Sequence, residues 1–239
     1  DKGRGETLTV SLEKPLDVQW YGMVAYTYTN ATEVSPLTSS RAISNWNGRA
    51  VFNPNENVAA KSNYLIKDRF TAAVSYRNNF FGDYKTEISM FYEGRQGKPY
   101  SWAFDNDANG DGISNNDLLF VPESPDDVVW VGGAADAAAW TQFLADNPGL
   151  AQFRGGVAIR NSENNPWVNQ FDVRISQELP GFYGDNKAEI WLDILNVGNL
   201  INDDWGRIEE IGFPSTRGVV EFAGIADDGR YIYDFAGPD

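Results

Sequence analysis

Asp105, Asp107, Asn109, Asp111, Ile113 and Asp117 form the densest local chemistry in the chain, because they offer oxygen ligands at short, regular spacing. With Asp107 as the first position of a calcium loop, Asn109 is third, Asp111 fifth, Gly112 falls on the sharp sixth position, and Ile113 is seventh, where a backbone carbonyl is needed. Oxygen donors so arranged suit a hard cation such as calcium. The twelfth position, which in such loops carries a bidentate acid, is Leu118, and the nearest acid is Asp117. A shortened loop would let Asp117 turn in to complete the shell, with Asp105 or Asn115 as spare ligands. The same composition also builds an Asx- and Gly-rich turn that binds nothing. Calcium here would stiffen a long loop rather than catalyse.

Other site chemistry is scarce. The chain has no cysteine and no histidine, which removes disulfides, cysteine and histidine zinc sites, and the Ser-His-Asp and Cys-His triads. Paired carboxylates of glycosidase type arise by chance among 34 acids, and the chain is read as a non-enzyme. A net charge of -15 with no basic run argues against a nucleic-acid partner. The loop residues Trp46, Trp102, Trp130 and Trp140 either stack on a sugar or ligand, or pack long loops on one another, the second being the plainer reading.

The elements that must position these residues are strands. Residues 7–12 alternate strictly, Leu8, Val10 and Leu12 against Thr7, Thr9 and Ser11. Residues 18–29 set Trp20, Val24, Tyr26 and Tyr28 against Tyr21, Met23, Ala25 and Thr27. Phe70, Ala72, Val74 and Tyr76 then oppose Arg69, Thr71, Ser75 and Arg77, and after the turn Phe81-Gly82-Asp83-Tyr84 a return strand sets Thr86, Ile88, Met90 and Tyr92 against Glu87, Ser89, Phe91, Glu93 and Arg95. A second hairpin sets Trp167, Phe171, Val173 and Ile175 against Gln170, Asp172, Arg174 and Ser176, and returns through Ile190, Leu192 and Ile194. The stretches 30–63 and 96–164 have no sustained period and read as long loops, with one helix over residues 134–146 ended by Asn147-Pro148-Gly149. Two short strands, at 218–223 and 230–235, flank a turn at residues 226–229.

Short connections thus alternate with excursions of roughly 30 and 70 residues, lengths that compact domains rarely carry without a function. Transmembrane barrels have this asymmetry, and their strands also alternate apolar toward lipid and polar toward a lumen. Trp20, Tyr21, Tyr28, Tyr64, Tyr76, Phe80, Phe81, Tyr84, Tyr92, Trp167 and Phe182 fall near strand ends, as in the aromatic girdles of barrels, although aromatics favour strands generally. Glu87, Glu93, Arg95, Asp172, Arg174, Glu189 and Asp193 would lie on the lumen face. Pattern alone leaves a membrane barrel and a soluble sandwich both open.

Several phrases resemble the C-terminal part of TonB-dependent outer-membrane receptors of the Oar-like group. They are Ser40-Arg41-Ala42-Ile43-Ser44-Asn45-Trp46-Asn47, Tyr92-Glu93-Gly94-Arg95-Gln96-Gly97-Lys98-Pro99-Tyr100, the Asp-rich run over residues 105–122, and the second hairpin with Leu195-Asn196-Val197-Gly198-Asn199-Leu200. The resemblance implies a barrel of about 22 strands, an N-terminal plug, an inner-membrane TonB complex as partner, outer-membrane lipid around the wall, and passage of an unknown substrate across the outer membrane of a Gram-negative bacterium. The expectation is therefore all-β: an antiparallel segment of a transmembrane β-barrel, about seven strands, with long extracellular loops and one short loop helix. Residues 1–239 are expected to be a fragment of one barrel domain, without plug, signal peptide or aromatic-terminated final strand. The competing expectation is a soluble, secreted, calcium-stabilised β protein that binds glycans or another surface.

Overall fold

The computed structural model describes residues 2–237; Asp1, Pro238 and Asp239, where the aromatic-terminated final strand is expected to be missing, lie outside the described residues. In chain order the first elements are β1 (Arg4–Lys14), β2 (Trp20–Glu33), α1 (Ala42–Asn47), β3 (Ala60–Lys61), β4 (Asp68–Phe81), β5 (Tyr84–Arg95) and β6 (Pro99–Phe104). There follow β7 (Phe120–Val121), β8 (Val129–Trp130), α2 (Ala134–Asp146), α3 (Pro148–Ala151), β9 (Gly156–Val157) and β10 (Glu163–Asn164). The chain closes with β11 (Val168–Pro180), β12 (Lys187–Ile194), β13 (Thr216–Ile225) and β14 (Tyr231–Asp234).

The alternating runs become one antiparallel meander. β1, β2, β4, β5, β11 and β12 pair in that order, and β3 adds beside the end of β2. The long strands run from 8 to 14 residues, against a usual length of about 5–6 in globular sheets. Residues 15–19, 82–83 and 181–186 connect them at one end, with Gly82 at φ +66° supplying the left-handed geometry of the tightest turn. All three long segments, 34–67, 96–167 and 195–237, leave from the opposite end. β1 and β12 are edges, so the sheet is open and does not close into a barrel within the described residues.

The long segments are not structureless, and here the loop expectation is corrected. The 34–67 segment contains α1 and β3, and β2 itself continues to Glu33. The 96–167 segment contributes β6, β8 and β10 to a second sheet of order β10-β6-β13-β14-β8, with a separate β7-β9 pair. β13 and β14 are the two short strands expected near the C-terminal end, but they run parallel to β6 and β8 rather than extending the meander. The helix forms over the expected residues: an Ala-rich run tolerates no other regular structure as well, Asp136 accepts the Gly132 N–H at 2.7 Å near the helix start, and Trp140 and Leu144, one turn apart, are buried.

The hydrophobic core lies in this end module. Trp102, Trp130, Trp140, Leu119, Leu150 and Tyr233 are fully or almost fully buried together, and Tyr233 Oη donates to the Phe120 carbonyl at 3.0 Å. The meander has no comparable core of its own.

Candidate functional site

The register of the meander gathers most of its aliphatic residues on one face, while Met23, Phe91 and Trp191 lie on the other. Leu12 stands opposite Val24 and Val24 opposite Ala72; Ile88 lies between Tyr76 and Ile175, and Ile175 opposite Leu192. These side chains are open rather than packed: Leu12 is 73% exposed, Val24 54%, Ile190 61% and Leu192 58%. The 3-10 turn Val197–Leu200 and Trp205 reach onto this face at Phe171. Leaving a Val, Leu or Ile in water forgoes about 1.5–3 kcal/mol each, and an exposed apolar patch this continuous is a contact surface.

Aromatic rings gather toward both ends of the strands, with aliphatic residues between. At the short-turn end Trp20 meets Tyr76 at 4.7 Å and Tyr76 meets Phe80 at 6.2 Å between centroids. Toward the other end Tyr26 meets Phe70 at 4.8 Å, Phe70 meets Trp167 at 6.3 Å, and Tyr92 meets Phe171 at 4.7 Å. Ala72, Val74, Met90, Val173, Ile175 and Leu192 occupy the middle.

The opposite face is a ladder of hydroxyls and ion pairs. Thr9 and Thr27 share a hydrogen bond at 3.0 Å, Ser75 and Ser89 one at 2.8 Å, and Arg77 donates to Glu87 through Nε at 2.8 Å and Nη2 at 2.6 Å. Arg69 and Arg95, directly opposed like charges, are both approached by Glu93, at 3.2 and 3.9 Å. Glu210, from the segment after β12, takes Arg95 at 3.4 Å and Lys98 at 3.0 Å. Burial works against ionisation of Glu210, but Lys98 and Arg95 outweigh it and hold its carboxyl below the ordinary range. Half-exposed pairs of this kind contribute roughly 0–1 kcal/mol each; what they provide is a fixed polar surface.

The Asp-rich loop follows β6. Asp107 accepts N–H groups of Gly110 (2.8 Å), Asp111 (3.1 Å) and Gly112 (2.8 Å), Asn109 accepts that of Asp111 (2.9 Å), and Asp111 accepts that of Ile113 (2.9 Å). Asp117 closes the loop from the far side, accepting the Ala108 and Asn109 N–H groups at 2.7 and 3.1 Å and the Asn109 side-chain amide. Asp105 stands against Gly218 of β13, where a Cβ would collide with its carboxylate. The loop thus brings Asp107, Asn109, Asp111 and Asp117 into one hydrogen-bonded turn, Ile113 joins through its N–H, and Asp105 serves the β6–β13 contact. Among the described residues no three acidic side chains converge as a ready metal cluster. Burial, and then the neighbouring Asp111 and Asp107 charges, raise the Asp117 carboxyl above its ordinary value despite the two backbone N–H groups. One oxygen of Asp111 is buried without a partner.

Of the four loop tryptophans, Trp102, Trp130 and Trp140 are core, and Trp46 alone is exposed. Sequence reading passed over Arg49 and Arg160, which lie buried in the end module; nothing in local spacing distinguishes them, since they meet only through the fold. Comparison with known protein families, curated proteins and solved structures finds no match for this chain.

Proposed function

We propose that the meander is a section of the wall of a transmembrane β-barrel, in an outer-membrane TonB-dependent receptor of Oar-like type that moves a substrate across the membrane. On this reading Val24, Ile175 and Leu192 face lipid, the ladder from Thr9 to Asp193 faces a lumen, and the end module is extracellular. The observation that carries it is the bare apolar face of six long strands beside a separate, well-packed core. A soluble sandwich has to lay a second layer on such a face, because half of the hydrophobic burial of a sheet comes from it. Lipid does the same without any protein layer. Fractionation of cells producing the protein tests this: it is expected in the outer-membrane fraction and released only by detergent, and recovery in the soluble fraction would overturn the reading.

A second proposal concerns the Asp-rich loop as a structural calcium site. The unpartnered Asp111 oxygen and the buried Asp117 carboxyl beside Asp107 and Asp111 favour it, since a cation would satisfy the first and offset the repulsion among the three. Calorimetric titration with calcium should show binding that Asp107→Ala and Asp111→Ala abolish; no heat from the unsubstituted protein would leave the loop a self-closed turn.

A further inference from the structure

Arg49 and Arg160 line one cavity of about 200 Å³ in the end module, between the segment that follows β2 and the link from β9 to β10. Its walls are otherwise mostly apolar, formed by Val51, Phe52, Val58, Leu118, Val157 and Ile159. Arg49 and Arg160 are both buried residues, 9% and 6% exposed. Arg160 donates to the carbonyls of Val34 (2.7 Å), Glu33 (2.5 Å) and Val58 (3.3 Å), while its Nε finds no acceptor. Arg49 donates to the Pro54 carbonyl at 2.9 Å and lies over the Trp46 ring at 5.9 Å.

Neither arginine forms an ion pair among the described residues. Glu56, the one acid on the cavity wall, is exposed and accepts from Asn53 at 2.9 Å. The Glu33 carboxylate acts on Arg160 only through space, being held by Ser62 Oγ and the Asn63 N–H, each at 2.9 Å. Carbonyls satisfy the directional demands of a guanidinium but supply no opposite charge. Both arginines thus line one cavity, and burial, followed by the Arg49 charge, pushes the Arg160 guanidinium below its ordinary value although the Glu33 charge opposes the shift. A buried guanidinium whose nearby carboxylate is already engaged by other donors gains from an anion that pairs with it directly.

We propose that this cavity binds a carboxylate carried on a short, branched aliphatic body, the carboxylate between Arg49 and Arg160 and the body against Val51, Phe52 and Val58. Arg49, which gives one hydrogen bond to the Pro54 carbonyl, keeps N–H groups for a carboxylate and Arg160 adds its positive charge, and the apolar wall does not suit the polar body of a sugar phosphate or nucleotide. The cavity is below the roughly 300–1,000 Å³ of drug-sized sites, so the occupant is about the size of one amino-acid residue. A free branched-chain acid and the C-terminal leucine of a peptide share this chemistry. The inference does not depend on which solvent meets the meander.

Calorimetric titration of the detergent-solubilised protein with 4-methylpentanoate, with its amide, and with acetyl-alanyl-leucine in free-acid and amidated forms tests the proposal. At least one carboxylate is expected to bind about tenfold or more tightly than its amide, and whichever acid binds more tightly identifies the source. Arg49→Gln and the cavity-filling Val58→Trp should each abolish binding; Val58 is exposed at the cavity mouth, so the second variant keeps both charges and the fold. Equal binding of acid and amide, or no binding of either acid up to about 10 mM, would overturn it.

Discussion

Arg174 and Asp193 stand directly opposite one another across β11 and β12, joined by two parallel hydrogen bonds of 2.5 and 2.8 Å, while their neighbours Ile175 and Leu192 meet on the reverse face. A slip of β12 by one residue against β11 would carry Asp193 to the apolar side, away from Arg174, and Leu192 to the polar side, away from Ile175. The pair is half exposed and adds little stability; it marks the register on which the division of faces depends.

That division predicts unequal tolerance to charge. Ile175→Lys should destabilise the lipid-inserted protein by about 2–4 kcal/mol, as a charge near mid-membrane does on a barrel wall, and Ser176→Lys should cost less than about 1 kcal/mol. Guanidinium unfolding in lipid vesicles measures both. Equal costs would contradict the assignment of faces.

The end module should fail separately from the wall. Trp140 is fully buried against Trp130 and Phe235, so Trp140→Ala should cost about 3–5 kcal/mol. Limited proteolysis is expected to open cuts between residues 96 and 167 while the long strands stay protected, and simultaneous loss of both would show a single cooperative unit.

Glu210 gives an acid-side pH dependence. Its carboxyl is held below the ordinary range, so the stability it contributes is present above the ordinary value of 4.5 and is lost as pH falls through the depressed folded value. Glu210→Gln should remove that part of the acid destabilisation and cost about 1 kcal/mol at neutral pH, through the Arg95 and Lys98 contacts. Thermal melts of the two proteins against pH read this directly.

Asp117 has the opposite sign. Its carboxyl is raised, so its contribution to stability is complete below the ordinary value of 3.8 and falls away as pH rises through the raised folded value. Calcium needs the ionised form, so affinity at the loop should increase with pH across the same window, and Asp117→Asn should flatten both trends. Calcium titrations at several pH values check it; affinity independent of pH would exclude Asp117 as a ligand.

The meander was legible in the sequence because period-2 alternation is a local property: Leu8, Val10 and Leu12, or Phe70, Ala72, Val74 and Tyr76, announce both the strand and its faces. The helix of residues 134–146 was equally plain, being Ala-rich and bounded by Asn147 and Pro148. The end module was not, because its strands are short and its pairings distant: Thr216 pairs with Ser101 and Ile232 with Val129. Trp102, Trp130 and Trp140 could be recognised as core only once these segments met. The cluster of Asp residues was visible as a spacing, but the placing of Asp105 against Gly218 of β13 and of the remaining acids on their own turn was not. Arg49 and Arg160 left no trace at all, since they come to one cavity only through the fold.

The absence of cysteine permits the most direct test of the central claim, that one face of the meander meets lipid. Single cysteines at Val24, Ile175 and Leu192, and at Thr9, Ser75 and Ser176, can carry nitroxide labels whose collision with lipid-dissolved oxygen and with an aqueous nickel chelate is measured in bilayers. The first three are expected to favour oxygen and the second three nickel, with a period of two along each strand. Nickel accessibility at Val24, Ile175 and Leu192 equal to that at Ser75 would contradict a membrane-facing wall.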